Sequence, residues 1–232
     1  MDVRQLASYI DHTLLKPEAT PDDIIRLCHE ANEYHFAAVC VNSSYVKLAV
    51  EHCLPTVLVA SVVGFPLGGA STVAKCAETI QAIADGAREI DMVVHIGLVK
   101  ARQFDEVRQD IAAVVAAARQ VPVKVIIETG ALTDEEKVKT CLLAKEAKAA
   151  FVKTSTGFGQ GPGATVADVV LMRGTVGLEM GVKASGGVRS LERAMEMIAA
   201  GANRLGTSSG VAIIKERLGD ETIKEPGRSP TY

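Results

Sequence analysis

Short apolar runs rich in β-branched residues alternate with amphipathic segments along most of the chain. Each run predicts a strand and each amphipathic segment predicts a helix, because apolar positions follow a period of two or of about 3.6 residues respectively. Seven runs are clear, and a weaker, more polar one occupies 9–13. The clear runs are 36–41, 57–63, 89–96, 123–129, 150–154, 182–185 and 204–208.

Helix boundaries are marked by capping residues between these runs. Thr20 precedes Pro21 and two aspartates, which is the arrangement expected of a capped first turn. The segment 71–86 ends in Gly86, a typical helix stop, and the segment 132–149 begins with a similar Thr/Asp cap.

Eight strands with a helix after most of them predict a single-domain (β/α)8 barrel, a TIM barrel, over residues 1–224. A short extra helix is expected at residues 2–9, and the Pro/Gly/Ser-rich residues 225–232 are expected to form a mobile tail. An open doubly wound sheet is the structural alternative. It favours a GxGxxG turn after an early strand, which this sequence lacks.

Composition narrows the class of protein. Hydrophobic residues make up 48% of 232 residues, aromatics only 4%, and Trp is absent, so Val, Ile, Leu and Ala must build the core. The net charge of −3 favours neither a nucleic-acid partner nor a membrane surface. The acidic N-terminus, without a long apolar stretch, predicts a cytoplasmic protein. Five widely spaced cysteines are expected to be reduced core residues: Cys28, Cys40, Cys53, Cys76 and Cys141.

Two lysines carry the strongest chemical signal. Lys153 and Lys183 each end an apolar run, and each is followed by a turn rich in Gly, Ser and Thr. Two ammonium groups desolvated at one site would lower at least one pKa and leave a neutral, nucleophilic amine. The alternative is that both side chains reach into solvent, as most lysines do.

An aspartate inside an apolar run points to the same site. Asp91 lies between Ile90 and Met92, where an unpaired carboxylate would be costly to bury. It needs a cationic partner, and a strand lysine would serve. A structural ion pair without catalysis stays open as the alternative.

Glycine-rich turns after the last strands predict an anion site, because successive backbone N–H groups can surround a phosphate there. The turns are 185–189 and 206–210, and 154–157 could add hydroxyl and amide donors. Each could instead be only a tight loop.

Several segments together resemble the deoxyribose-phosphate aldolase family of class I aldolases, from about residue 10 to residue 214. They are IDHTLLKPEAT, VCVNS, SVVGFPLGGA, EIDMVVHIG, KVIIETGALTDEEK, FVKTSTGFG, VKASGGVRS and GTSSGVAI. The resemblance implies a (β/α)8 barrel that works without metal or other cofactor. It also implies reversible cleavage of 2-deoxy-D-ribose 5-phosphate to D-glyceraldehyde 3-phosphate and acetaldehyde, and a homodimer.

The resemblance also implies site residues. Lys153 would form the Schiff base, Lys183 would be the second active-site lysine, and Asp91 would transfer protons. The phosphate-binding residues would be Thr156, Gly157, Gly186, Gly187, Gly206, Ser208 and Ser209, with Asp11, Thr13 and Cys40 as supporting pocket residues.

Three positions are less well matched to the family. His95 stands where Asn is expected and is predicted to face a loop, and Gly130 stands where Cys is common. Tyr232 is predicted to assist proton transfer at the enamine. Two alternative functions stay open: another Schiff-base barrel, transaldolase-like or of the fructose-bisphosphate aldolase type, and a non-catalytic barrel that binds sugar phosphates.

Overall fold

A computed structural model describes residues 1–219. Its eight parallel strands close into a barrel in sequence order. The strands are β1 Ile10–Leu14, β2 Ala38–Val41, β3 Leu58–Val63, β4 Glu89–Val93, β5 Val123–Ile126, β6 Phe151–Lys153, β7 Gly181–Ser185 and β8 Arg204–Thr207. The helices are α1 Val3–Ala7, α2 Pro21–Glu33, α3 Val46–His52, α4 Thr72–Ala84, α5 Ile96–Lys100, α6 Phe104–Ala118, α7 Asp134–Glu146, α8 Val166–Val176, α9 Leu191–Ala199 and α10 Gly210–Leu218.

Closure of the sheet confirms the barrel and rules out the open doubly wound alternative. The first strand pairs with the last, with Asp11 opposite Gly206. Most predicted strands are longer than the real ones by a few residues, mainly at the carboxyl end. The run 89–96, for example, ends as a strand at Val93, because His95 already caps α5.

The predicted helix boundaries agree with the structure. Thr20 forms a capping box with Asp23 at the start of α2, and Pro21 takes the first helical position. Helix α4 ends at Ala84, and Gly86 follows with a φ of 106°, a conformation that glycine adopts without strain. Thr133 forms the corresponding cap on α7.

The strands carry different kinds of side chain on the side that faces the helices and on the side that faces the barrel interior. Outward-facing residues such as Met92, Val152 and Val182 pack with the helices in one large apolar core. The barrel interior holds a small separate apolar cluster that includes Cys40, Ala60 and Val62. Charged residues fill much of the remaining interior, so the barrel has an ionic centre.

The predicted tail 225–232, including Tyr232, lies outside the described residues. Within residues 1–219, no helix is both long and apolar enough to cross a membrane. All five cysteines are free thiols. Cys28, Cys40 and Cys141 are buried as expected, whereas Cys53 and Cys76 are partly exposed and pack against the core.

Candidate active site

The strand register places the two lysines side by side. Lys153 on β6 is paired with Lys183 on β7, and period-two alternation turns both side chains into the barrel. Lys153 is 2% exposed and Lys183 is fully buried. The alternative that these lysines reach into solvent is therefore wrong.

Both lysines donate to the same carboxylate. The Nζ atoms of Lys153 and Lys183 each lie 2.8 Å from Oδ2 of Asp91. Lys183 also lies 2.5 Å from Oδ2 of Asp11, a residue of β1. The structure thus brings together four residues that the sequence singled out.

Three further charged residues, none of them predicted from the sequence, complete the cluster. The Nζ atom of Lys124 lies 2.6 Å from Glu89, 3.0 Å from Asp91 and 3.2 Å from Asp11. Arg204 bridges Asp11 and Glu89 beneath it. Lys124 and Glu89 both lie within predicted strands. Their period-two positions, on the same side of the strand as Ile126 and Asp91 respectively, indicate side chains that point into the barrel, and this is the sequence signal that marks them.

The charges of this cluster balance only if one amine is neutral. Three carboxylates, those of Asp11, Glu89 and Asp91, face four basic groups. Net buried charge is strongly disfavoured in a low-dielectric interior. Among residues 1–219, Lys153 has a single carboxylate partner, whereas each of the other three basic groups has at least two. Lys153 is therefore the group that most readily gives up its proton.

The pKa shifts follow this geometry. Burial lowers the pKa of Lys153 below its ordinary value, and the charge of Lys183 acts in the same direction against the pull of Asp91. Burial also disfavours a charged Lys183, but Asp11 and Asp91 outweigh it and raise that pKa. For Asp91, burial is outweighed by Lys124, Lys153 and Lys183, so its pKa lies well below the usual range.

A cavity opens at the carboxyl ends of the strands, above this cluster. Of the seven clustered residues, only Lys153 lines it. Around the lysine lie Thr13, the glycine-rich turns and the exposed guanidinium of Arg189. Predicted phosphate residues that line the cavity are Thr156, Gly157, Gly186, Gly187, Gly206 and Ser208.

The glycines of these turns are needed for close backbone approach. A Cβ on Gly206 would lie 2.2 Å from Oγ of Ser185 and 3.0 Å from Cε of Lys183. Gly187 has a φ of 74°, and a Cβ there would lie 2.7 Å from a backbone carbonyl oxygen. These positions exclude side chains, and both glycines line the cavity.

Two predicted phosphate residues have other partners. Ser209 precedes α10 and does not line the cavity; its amide donates to Thr207 at 2.9 Å. Thr156 donates both its hydroxyl and its amide to the carboxylate of Glu128. Glu128 is buried with a φ of 57°, and no sequence signal marked it.

The remaining positions are accounted for by local contacts. His95 accepts from the amide of Leu98 at 3.3 Å as the cap of α5, in agreement with its predicted loop-facing place. The thiol of Cys40 lies 3.9 Å from Asp91, and burial raises its pKa. A Cβ on Gly130 would lie 2.8 Å from the carbonyl oxygen of Gln160, so this backbone leaves little room for a cysteine there.

Comparison with known proteins identifies the class. The DeoC/LacD family of aldolases matches residues 5–216. Deoxyribose-phosphate aldolase from Thermococcus kodakarensis is 60% identical, covering 93% of this chain and 98% of the relative. The same enzyme from Thermococcus gammatolerans is 59% identical, covering 90% and 95%. The tetrameric deoxyribose phosphate aldolase from Aeropyrum pernix superposes with a TM-score of 0.85 at 35% identity, covering 93% and 92%.

The chain therefore belongs to the DeoC/LacD family of aldolases. It is a lyase of the deoxyribose-phosphate aldolase type. The alternative of a non-catalytic barrel that binds sugar phosphates is therefore wrong. The predicted homodimer stays a prediction, since the described tetramer is a property of the Aeropyrum pernix protein.

Proposed function

We propose that this enzyme reversibly cleaves 2-deoxy-D-ribose 5-phosphate to D-glyceraldehyde 3-phosphate and acetaldehyde through a Schiff base on Lys153. The observation that carries the proposal is the position of this amine. It is the one basic group of the buried cluster that lines the cavity, and burial with Lys183 lowers its pKa. A neutral amine facing an open pocket can attack a carbonyl carbon.

The first steps build the electron sink. The Lys153 amine adds to the C1 aldehyde of the open-chain sugar, and a proton moves to the new hydroxyl. The carbinolamine hydroxyl then takes up a further proton and leaves as water, and the protonated imine that remains is the iminium. Lys183 is charged and shares Oδ2 of Asp91 with Lys153. The carboxylate of Asp91 therefore connects Lys183 to the amine at which these proton transfers take place.

The carbon–carbon bond then breaks. The proton of the C3 hydroxyl passes through an ordered water to Asp91 and Lys183, which lie behind Lys153. The electron pair of the C2–C3 bond moves into the iminium to form an enamine. D-Glyceraldehyde 3-phosphate leaves with C3 as its aldehyde. Protonation of the enamine at C2 and hydrolysis of the resulting imine release acetaldehyde and restore Lys153.

The phosphate holds the substrate for these steps. Gly186, Gly187 and Gly206 line the cavity, where backbone N–H groups of their turns would bind the phosphate, and Arg189 adds a positive charge at the rim. Contacts to this non-reacting end orient C1 towards Lys153, and such binding energy lowers the barrier of the chemical step. Arg189 and the glycine turns thereby set the preference for a phosphorylated substrate.

A cleavage assay with matched substrates tests the proposed reaction. Acetaldehyde release from 2-deoxy-D-ribose 5-phosphate should exceed that from 2-deoxy-D-ribose by at least about 100-fold in kcat/KM, since the phosphate contacts are lost. Fructose 1,6-bisphosphate and transaldolase substrates should give no turnover. Turnover of these larger sugars with none of the deoxyribose phosphate would favour the other Schiff-base barrels instead.

A further inference from the structure

Ser185 carries a buried hydroxyl at the edge of the catalytic cavity. It is the last residue of β7 and is 5% exposed. Within residues 1–219, its Oγ atom has no hydrogen-bond partner. Because a buried hydroxyl without a partner is costly, and most buried polar side chains are paired, this one is suited to meet a partner that the substrate brings.

Ser185 faces the inside of the barrel, above the catalytic cluster. It lies two residues beyond Lys183 on β7, so period-two alternation gives both side chains the same direction. The rise of a strand places it about 7 Å nearer the carboxyl end than Lys183. It directly precedes Gly186 and Gly187, and it lines the same cavity as Lys153. The hydroxyl therefore lies between the amine of Lys153 and the turn to which we assign the phosphate.

Two neighbouring residues determine where this hydroxyl lies. The hydroxyl of Thr154 donates to the carbonyl of Ser185 and accepts from its amide, at 3.0 Å each. On the other side, Ser185 is paired with Gly206 of β8. A Cβ on Gly206 would lie 2.2 Å from the Ser185 Oγ, so this hydroxyl fills the space that a side chain there would need. The backbone of Ser185 is thus held in place without any bond to its hydroxyl.

The other hydroxyl side chains that line the cavity differ from that of Ser185. Three threonine hydroxyls already donate to carbonyl or carboxylate oxygens of the protein. They are those of Thr13, Thr156 and Thr207. Ser208 is exposed to solvent. In the described part of the chain, Ser185 is therefore the buried residue of this cavity whose hydroxyl proton is available to a substrate.

We propose that the Ser185 hydroxyl donates a hydrogen bond to the C4 oxygen of 2-deoxy-D-ribose 5-phosphate, an inference that rests on the proposed function. In the open-chain sugar, C4 lies between the carbons that react and the phosphate, as Ser185 lies between Lys153 and the phosphate turn. In the reverse reaction, C4 comes from C2 of D-glyceraldehyde 3-phosphate. Ser185 thereby selects an acceptor aldehyde that carries a hydroxyl beside its carbonyl.

A cleavage assay with two substrates tests this contact. The second substrate is the 2,4-dideoxypentose 5-phosphate of the same C3 configuration, which has hydrogen in place of the C4 hydroxyl. Ser185→Ala should lower kcat/KM about 10-fold for 2-deoxy-D-ribose 5-phosphate and less than about 2-fold for the dideoxy sugar, because only the first loses a hydrogen bond. Differences between the free substrates cancel, since the variant is compared with the wild type on each substrate separately.

Ser155→Ala is the matched control. The hydroxyl of Ser155 is also buried and has no hydrogen-bond partner within residues 1–219. Ser155 lines a neighbouring cavity, however, and not the one that Lys153 lines. This variant should keep the wild-type ratio of kcat/KM between the two substrates.

The possible outcomes separate this inference from the proposed function. An equal loss on both substrates in Ser185→Ala, or no loss on either, would overturn the contact with the C4 oxygen while the proposed reaction stands. A loss of the substrate preference in Ser155→Ala as large as that in Ser185→Ala would also overturn it. Absence of acetaldehyde release from 2-deoxy-D-ribose 5-phosphate by the wild type would overturn the proposed function and this inference together.

Discussion

Lys153 and Lys183 share one acceptor atom, Oδ2 of Asp91, at the same distance of 2.8 Å. Their surroundings nevertheless differ. Lys183 has a second carboxylate partner in Asp11, at 2.5 Å, and Lys153 does not. This difference separates two residues that look alike in the sequence: the pKa of Lys183 is raised, whereas burial lowers the pKa of Lys153, which lines the cavity.

Removal of the Lys183 charge should move the pH dependence of imine formation upwards. The ammonium of Lys183 lowers the pKa of Lys153, so in Lys183→Met that pKa rises and less of the amine is neutral at pH 7. We expect the midpoint of imine formation to shift up by about one pH unit, which slows imine formation at pH 7 by about 10-fold.

Stopped-flow measurement of imine formation across pH checks this prediction. Lys183→Arg keeps the positive charge and should hold the midpoint near that of the wild type. An unchanged or lower midpoint in Lys183→Met would show that Lys183 does not tune Lys153.

Glu89 should matter for stability although it lies below the cavity. It is the partner of both Lys124 and Arg204, each at 2.6 Å. Glu89→Gln removes the negative charge that faces Lys124 and Arg204. Breaking a buried ion pair in this way should lower the free energy of unfolding by about 3–5 kcal/mol. Urea unfolding should show this loss. Glu135→Gln breaks an exposed pair with Arg102 and should cost less than about 1 kcal/mol. Equal effects of the two substitutions would contradict the account.

Acid should destabilise the protein through the same cluster. Although burial opposes ionisation, Lys124, Lys183 and Arg204 lower the pKa of Asp11 below that of an unfolded chain. A carboxylate with a depressed native pKa stabilises the fold above its unfolded pKa of about 4, and the contribution is lost as the pH falls through the native value. The free energy of unfolding should therefore fall steeply from pH 5 to pH 2, less steeply in Asp11→Asn. A flat profile would refute this.

Gly206 should be intolerant of even one methyl group. In Gly206→Ala the new Cβ would meet Ser185 and Lys183, and a displacement of about 1 Å at a reacting group can cost about 100-fold in rate. Steady-state kinetics should show this loss in kcat/KM. Gly174→Ala, on the exposed face of α8 with no atom within 4 Å of its Cβ, is the control and should retain full activity. Full activity in Gly206→Ala would mean that the turn can move aside.

Much of the fold was predictable from local patterns. The period-two runs gave all eight strands, and the Thr20 and Thr133 caps gave two helix starts, because both signals act between residues close in sequence. Strand ends were predicted too far along, since apolar residues continue into the loops. His95 shows the reason: its side chain caps α5 in place of extending β4.

The site was predictable in part, and the gaps have a common cause. Lys153, Lys183 and Asp91 stood out because each interrupts or ends an apolar run. Lys124 carried a similar signal, but its partners lie on strands β1 and β4, so nothing near it in sequence revealed the pairing. The hydrogen bond from Thr156 to Glu128 likewise joins two loops that come together only in the folded barrel.

The most direct test of the central claim is reductive trapping of the enzyme with acetaldehyde and borohydride, followed by mass measurement and peptide mapping. The account predicts one added ethyl group, about 28 Da, on Lys153 alone, and none in Lys153→Ala, which should also be inactive. Lys75 is an internal control, because it is as deeply buried but is paired with Asp110 outside the barrel, and it should stay unmodified. An adduct on Lys183, or labelling and wild-type activity in Lys153→Ala, would contradict the account.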